Sequence, residues 1–189
     1  MNRRQALAAI TTSTLSLAGC LASQTTGPAG AAGTATPPPP PTDLPPANTG
    51  LRGDFDPETT YREIEVGSRD GVDEDYVPHE LLIWNATAGQ RTVNLRILDR
   101  VAEESVHREV YTIPAAEALR TTLLEPSQYY VQLWGPAMDT ETLLVPCIMF
   151  DCNSSTTSIS LYEDGHVGSV VSSTLAGCPS YDCDAPIPE

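Results

Sequence analysis

The sequence has no lysine. All ten basic residues are arginine, set against 25 acidic residues, for a net charge of −15. Ordinary soluble chains use lysine heavily. A chain this acidic has no basic footprint for a phosphate backbone, which excludes a nucleic-acid partner. Long apolar runs are missing too. The longest, Ala6 to Ala18, is rich in Ala, Ser and Thr and falls short of the roughly 20 apolar residues of a spanning helix. Catalytic signatures are absent as well. There is no G-x-S-x-G elbow and no glycine-rich phosphate loop. His79-Glu80 opens like a zinc-protease helix, but the second histidine would fall on Ile83. A blue-copper site needs two histidines, a cysteine and a weak axial ligand; Met149 follows Cys147, yet the next histidine is His166. His79, His107 and His166 are scattered and read as surface or turn residues. The acidic groups Asp54, Asp56, Glu58 and Asp70, Asp73, Glu74, Asp75 lack the glycine-centred spacing of a calcium loop and read as solvated surface. Nothing here implies an enzyme, a metal or a cofactor.

What is present starts at the N-terminus. Met1-Asn2-Arg3-Arg4 gives a charged start, Ala6 to Ala18 an apolar run, and Ala18-Gly19 small residues before a cut site. That order marks a secretory signal. Leu17-Ala18-Gly19-Cys20 resembles the lipobox of prokaryotic lipoproteins, in which the cysteine thiol is alkylated by a diacylglyceryl-type lipid and the preceding bond is cleaved. Arg3-Arg4 resembles a twin-arginine signal, which exports proteins already folded. The resemblance implies removal of residues 1–19, lipidation at Cys20 and a membrane partner for the mature chain.

Loss of residues 1–19 removes Arg3 and Arg4 and no acid, which moves the net charge from −15 to −17. In dilute buffer such a charge strains a fold by self-repulsion. At molar salt the screening length falls to about 3 Å. An acidic, lysine-free surface therefore suits a hypersaline solvent. Together with the signal and lipobox, it resembles the secreted lipoproteins of halophilic archaea.

Residues 20–50 read as a disordered, Pro/Gly/Thr-rich tether, with an unbroken run from Pro37 to Pro41 followed by Pro45 and Pro46. That composition cannot bury a core. The proline run favours an extended polyproline form. Residues 51–189 form the domain. Val93, Leu95 and Ile97 alternate with polar neighbours, as do Tyr129, Val131 and Leu133, and Ile159 and Leu161. Such alternation predicts strands near 60–66, 79–86, 91–99, 106–113, 118–125, 128–135, 140–146, 156–162 and 166–173. Residues 115–119 could instead make one helical turn. The expected architecture is all-β: an antiparallel sandwich of about 7–9 strands. Leu124-Glu125-Pro126-Ser127-Gln128-Tyr129-Tyr130-Val131 resembles the tyrosine corner of immunoglobulin-like sandwiches, with Tyr129 either the corner residue or a plain core aromatic.

Apart from Cys20, four cysteines remain: Cys147, Cys152, Cys178 and Cys183. An even number in an exported domain implies disulfides. Glu163-Asp164-Gly165-His166 reads as a hairpin turn with Asp164-Gly165 at its tip, placing residue 163 opposite 166. That register brings Cys152 within one residue of Cys178, and Cys147 within one residue of Cys183. Nested bridges 152–178 and 147–183 follow, each contributing about 2–4 kcal/mol. The alternatives are local bridges 147–152 and 178–183, or a zinc site of four thiolates. Asn85-Ala86-Thr87 and Asn153-Ser154-Ser155 are glycosylation sequons, or else Asn85 and Asn153 are turn residues bonding their own backbone.

The function these features suggest is a lipid-anchored, non-catalytic surface module that binds an envelope protein or a surface glycan. The alternative is a solute- or metal-binding lipoprotein associated with transport. Peptide mapping without reductant should recover a fragment linked through Cys152 and Cys178; a fragment linked through Cys147 and Cys152 would defeat the nested arrangement.

Overall fold

Every residue of the three alternating sets named above turns inward. Val93, Leu95, Ile97, Tyr129, Val131, Leu133, Ile159 and Leu161 all sit in one buried cluster. The computed structural model describes residues 36–57, 59–174 and 177–178. The signal segment, Cys20, Glu58 and Cys183 lie outside them. Among the described residues nine strands occur: β1 (Thr59–Val66), β2 (His79–Asn85), β3 (Arg91–Asp99), β4 (Glu104–Ile113), β5 (Glu117–Leu123), β6 (Tyr129–Trp134), β7 (Glu141–Val145), β8 (Ser155–Leu161) and β9 (Val167–Ser173). These match the expected segments within two residues at each end. Residues 115–119 do not make a helical turn. Ala116 takes a left-handed φ of 60° and the chain enters β5 at Glu117. A short 3-10 turn, Cys147–Met149, had no signal in the alternation.

The strands form two sheets, ordered β1-β5-β2-β8-β9 and β4-β3-β6-β7. β2 beside β5 in one sheet, and β6 between β3 and β7 in the other, is the strand order of the immunoglobulin-like sandwich. The sandwich is not wholly antiparallel. β1 runs parallel to β5, and β8 parallel to β2. Parallel neighbours need long crossovers. Here the crossovers pass through the opposite sheet, so alternation within each strand carries no sign of them.

Tyr129 is the corner tyrosine. It opens β6, its ring is buried, and its hydroxyl donates to the Glu125 carbonyl at 2.9 Å. Burial, with Asp99 and Glu125 nearby, raises its pKa and keeps the phenol protonated. Phe150 follows the 3-10 turn and plugs the core, 5.8 Å from the Tyr129 ring and 5.9 Å from His79.

The last hairpin differs from expectation by one residue. Leu161 pairs with Val167, and the Tyr162 amide donates to the His166 carbonyl. The loop is therefore three residues, Glu163 to Gly165, not a two-residue tip. Gly165 has φ 87°, the left-handed position that closes such a loop. A side chain there would also crowd the Ala137 carbonyl at 3.1 Å.

Residues 38–57 run around the sandwich as a belt. Pro38 and Pro39 lie on the outward face of β3 and β6, where Arg96 and Gln132 donate to their carbonyls. The Pro46 carbonyl then takes the Leu144 amide on edge strand β7. Asn48, Thr49 and Gly50 line edge strand β9. The Val171 amide donates to Asn48 Oδ1 at 2.6 Å and the Gly50 amide to Ser169 O at 2.8 Å. Gly168 permits this approach, because a Cβ there would collide with the Gly50 carbonyl. The chain next crosses the outward face of the five-stranded sheet, where Phe55 meets Trp84 edge-on at 5.4 Å, and enters β1 on the far edge. Composition suggested a solvated tether because these residues bury no core of their own. The prolines among them are held instead through carbonyls, which a polyproline form leaves unpaired. On the other side of the sandwich, edge strands β1 and β4 are joined by the Arg62–Glu109 ion pair at 2.9 Å.

Candidate functional site

The residues singled out by sequence do not converge on one site. Cys152 and Cys178 are bonded, with Cα atoms 5.6 Å apart. Of the three pairings of four cysteines, only the nested one contains this bridge. The local bridges are thereby excluded, and so is a zinc site needing all four thiolates. Cys147 is also disulfide-bonded; its expected partner, Cys183, lies outside the described residues. Among the described residues no three His, Cys, Asp or Glu side chains gather at metal-ligating distance.

His79 is not a surface residue. It is fully buried in β2, with Nδ1 2.7 Å from Ser155 Oγ and Nε2 2.8 Å from Thr157 Oγ1. Ser155 donates its only hydroxyl proton to the Met149 carbonyl at 2.7 Å. The Nδ1 atom must therefore carry the imidazole proton, and Nε2 accepts from Thr157. The ring locks β2 to β8 and to the 3-10 turn. His107 lies on edge strand β4, beside the Tyr111 hydroxyl at 2.9 Å, which in turn donates to Glu109. His166 stacks on Tyr162 next to the last hairpin loop. The two sequon asparagines are also internal. Asn85 is fully buried; its amide donates to the carbonyls of Gly89, Ile113 and Pro114, and its oxygen accepts from the amide and hydroxyl of Thr87. Asn153 is buried, with its side-chain amide on Asp151 Oδ2 and Cys178 Sγ. Asn85 thus bonds nearby backbone, as the turn reading expects, whereas Asn153 is held by the side chains of Asp151, Cys178 and Thr174.

A concavity lies where the belt leaves the outward face of β3 and β6. It measures about 420 Å3 and is lined by Pro40, Pro41 and Thr42 from the belt, Leu98 and Asp99 from the end of β3, Arg100 and Glu103 from the β3–β4 connection, and Tyr130 from β6. β6 explains how the floor forms. Its outward side chains should be solvated, yet Tyr130 is 8% exposed and Gln132 0%. Asp99 shapes the rim: Oδ1 accepts from the amides of Val101 and Ala102 and from Ser127 Oγ. Glu103 holds a left-handed φ of 54° in the same turn, a strain that surrounding structure must enforce. The cleft thus pairs apolar surfaces from two prolines, a leucine and a tyrosine with a hydroxyl, a guanidinium and carboxylates. Sequence reasoning missed it because half of it is built from the belt. The one available signal was Tyr130-Val131-Gln132, where an aromatic and an amide occupy the outward positions of a central strand.

No protein-family model matches the chain, and no curated protein matches it in sequence.

Burial lowers the His79 pKa from its ordinary 6.5 to about 4. The unfolded chain therefore takes up a proton as pH falls through 6.5 while the native state does not. His79's contribution is complete above pH 6.5 and declines toward pH 4, by about 3 kcal/mol in total. Urea unfolding at pH 7 and pH 4.5 should show wild type losing stability more steeply than His79→Gln. Parallel pH profiles would contradict a neutral buried ring.

Proposed function

We propose that this is an exported, lipid-anchored surface protein of a saline habitat, whose sandwich binds an uncharged envelope glycan without transforming it. Arg3-Arg4, the short apolar run and Leu17-Ala18-Gly19-Cys20 support the address. The absence of lysine and the charge of −15 support the solvent.

The binding part of the reading rests on the cleft beside the belt. Small-ligand sites are concave, largely apolar and carry a few placed polar groups. A pyranose ring presents a carbon face and a hydroxyl edge. The rings of Pro40, Pro41 and Tyr130 suit the first; Thr42, Arg100 and Glu103 suit the second. Two carboxylates line the cleft, but Asp99 is engaged in holding the turn. That favours recognition over acid–base chemistry. The same cleft, at about 420 Å3, has room for a single sugar ring, which keeps capture of a free solute for transport as a second reading.

Titration of the full chain in concentrated salt against neutral envelope glycans should show saturable binding. Tyr130→Ala and Glu103→Gln should each weaken it about tenfold or more, equivalent to about 1.4 kcal/mol. Variants that bind as wild type does would remove the cleft from consideration. Free monosaccharides binding as tightly as the oligomers would favour solute capture. For the address, Cys20→Ser should move the protein from the membrane fraction to the soluble one; retention in the membrane would overturn lipid anchoring at that cysteine.

A further inference from the structure

Arg96 on β3 and Gln132 on β6 face each other across the ladder. Arg96 Nε donates to Gln132 Oε1 at 2.7 Å, a bond that involves no belt residue. The pair therefore stands ready-made. Its remaining donors go outward: Arg96 Nη2 to the Pro38 carbonyl, and Gln132 Nε2 to the Pro39 carbonyl at 3.0 Å. A proline run has no amide protons, so it can be read only through its carbonyls and ring faces. Two fixed donors for successive carbonyls, beside the Tyr130 floor that Pro40 and Pro41 share, meet both requirements.

We propose that this face is a receptor for proline-rich chain and that between neighbouring molecules it is filled by the Pro37–Pro41 run of a second copy, the two chains exchanging belts. Three observations favour that occupant. The same segment already fills the face in cis, so the fit is given by the sequence itself. Residues 20–42 contain no charged residue. A belt can thus approach a strongly acidic neighbour without meeting like charge. Between the latch at Pro39 and the next backbone attachment at Pro46 lies a short exposed hinge, in which Leu44 is 61% exposed. Exchange would bring two such hinges together and cover both leucines. A closed exchange repeats the contacts of the single molecule, so concentration and hinge strain decide between the forms. The inference does not depend on the glycan reading, and membrane anchoring would only raise the effective concentration.

Complementation between two full-length variants tests it. One has Pro37 to Pro41 each replaced by Ser, leaving the face open. The other carries Arg96→Ala and Gln132→Ala, leaving its belt without a home. Light scattering should find each alone monomeric and the mixture rich in heterodimer, about tenfold above either variant alone. A synthetic peptide of residues 34–44 should bind the belt-replaced chain, dissolve the heterodimer and ignore wild type at low concentration. Should the double variant lose its near-ultraviolet dichroism, Gln132→Met alone takes its place. If the belt-replaced chain keeps a native spectrum but does not take up the peptide, the receptor is refuted. If it takes up the peptide while the mixture stays monomeric, exchange between copies is refuted.

Discussion

Edge amides without partners and proline carbonyls without partners are complementary problems, and the belt joins them. A sandwich leaves strands at the margins of both sheets whose N–H groups invite pairing with other chains. Here the β7 amide of Leu144 and the β9 amides of Ser169 and Val171 are satisfied by Pro46, Thr49 and Asn48. The same segment then lies on one outward face through Pro38 and Pro39 and crosses the other through Phe55. The cover over the five-stranded sheet is not complete. The indole N–H of Trp84 and the hydroxyl of Ser160, paired positions on β2 and β8, are buried without a hydrogen-bond partner among the described residues. Such groups cost free energy, and burial of the apolar surface around them has to offset it.

The arginine-only cation set has a structural counterpart. Arg91 donates to the carbonyls of Ala137 and Tyr162, Arg69 to those of Leu124 and Asp73, and Arg96 to Gln132 and Pro38. Each bridges two groups set apart in sequence. A guanidinium offers five donors in a fixed fork, whereas an ammonium is a compact point charge. Arg62, Arg52 and Arg120 pair with acids, and those pairs are exposed. Exposed pairs contribute little, and salt screens them further. Bridges to carbonyls are less sensitive to ionic strength, so the cations best placed to hold this fold together are those that do not rely on an acidic partner.

Much of the fold was legible from alternation. A half-buried strand writes its buried face into every second residue, and Val93 to Ile97 and Tyr129 to Leu133 do so plainly. The tyrosine corner was readable because Glu125-Pro126-Ser127 forces a turn just before Tyr129. The Cys152–Cys178 bridge was readable from the last hairpin, although that hairpin turns through three residues, because both cysteines lie beyond the ladder where the chain can adjust. The parallel pairs were invisible: which strands become neighbours is set by crossovers, and a strand's own sequence does not record them. His79 was misread because one histidine says nothing about the hydroxyls of Ser155 and Thr157, six strands further along the sequence. The cleft was missed for a similar reason. Its walls come from proline rings and carbonyl contacts, and composition had assigned those residues to solvent.

The buried asparagines bear on the order of events in the life of the chain. In the finished fold the Asn85 amide is tied to three carbonyls beneath the surface, and Asn153 is wedged against a disulfide sulfur. Neither nitrogen can meet an enzyme from outside. A sugar found on either would have been attached before the polypeptide closed, and the native geometry around it could not have formed as it stands. A mass increment at either asparagine would therefore be a timestamp: it would show that a modifying enzyme reached the chain before folding closed over it.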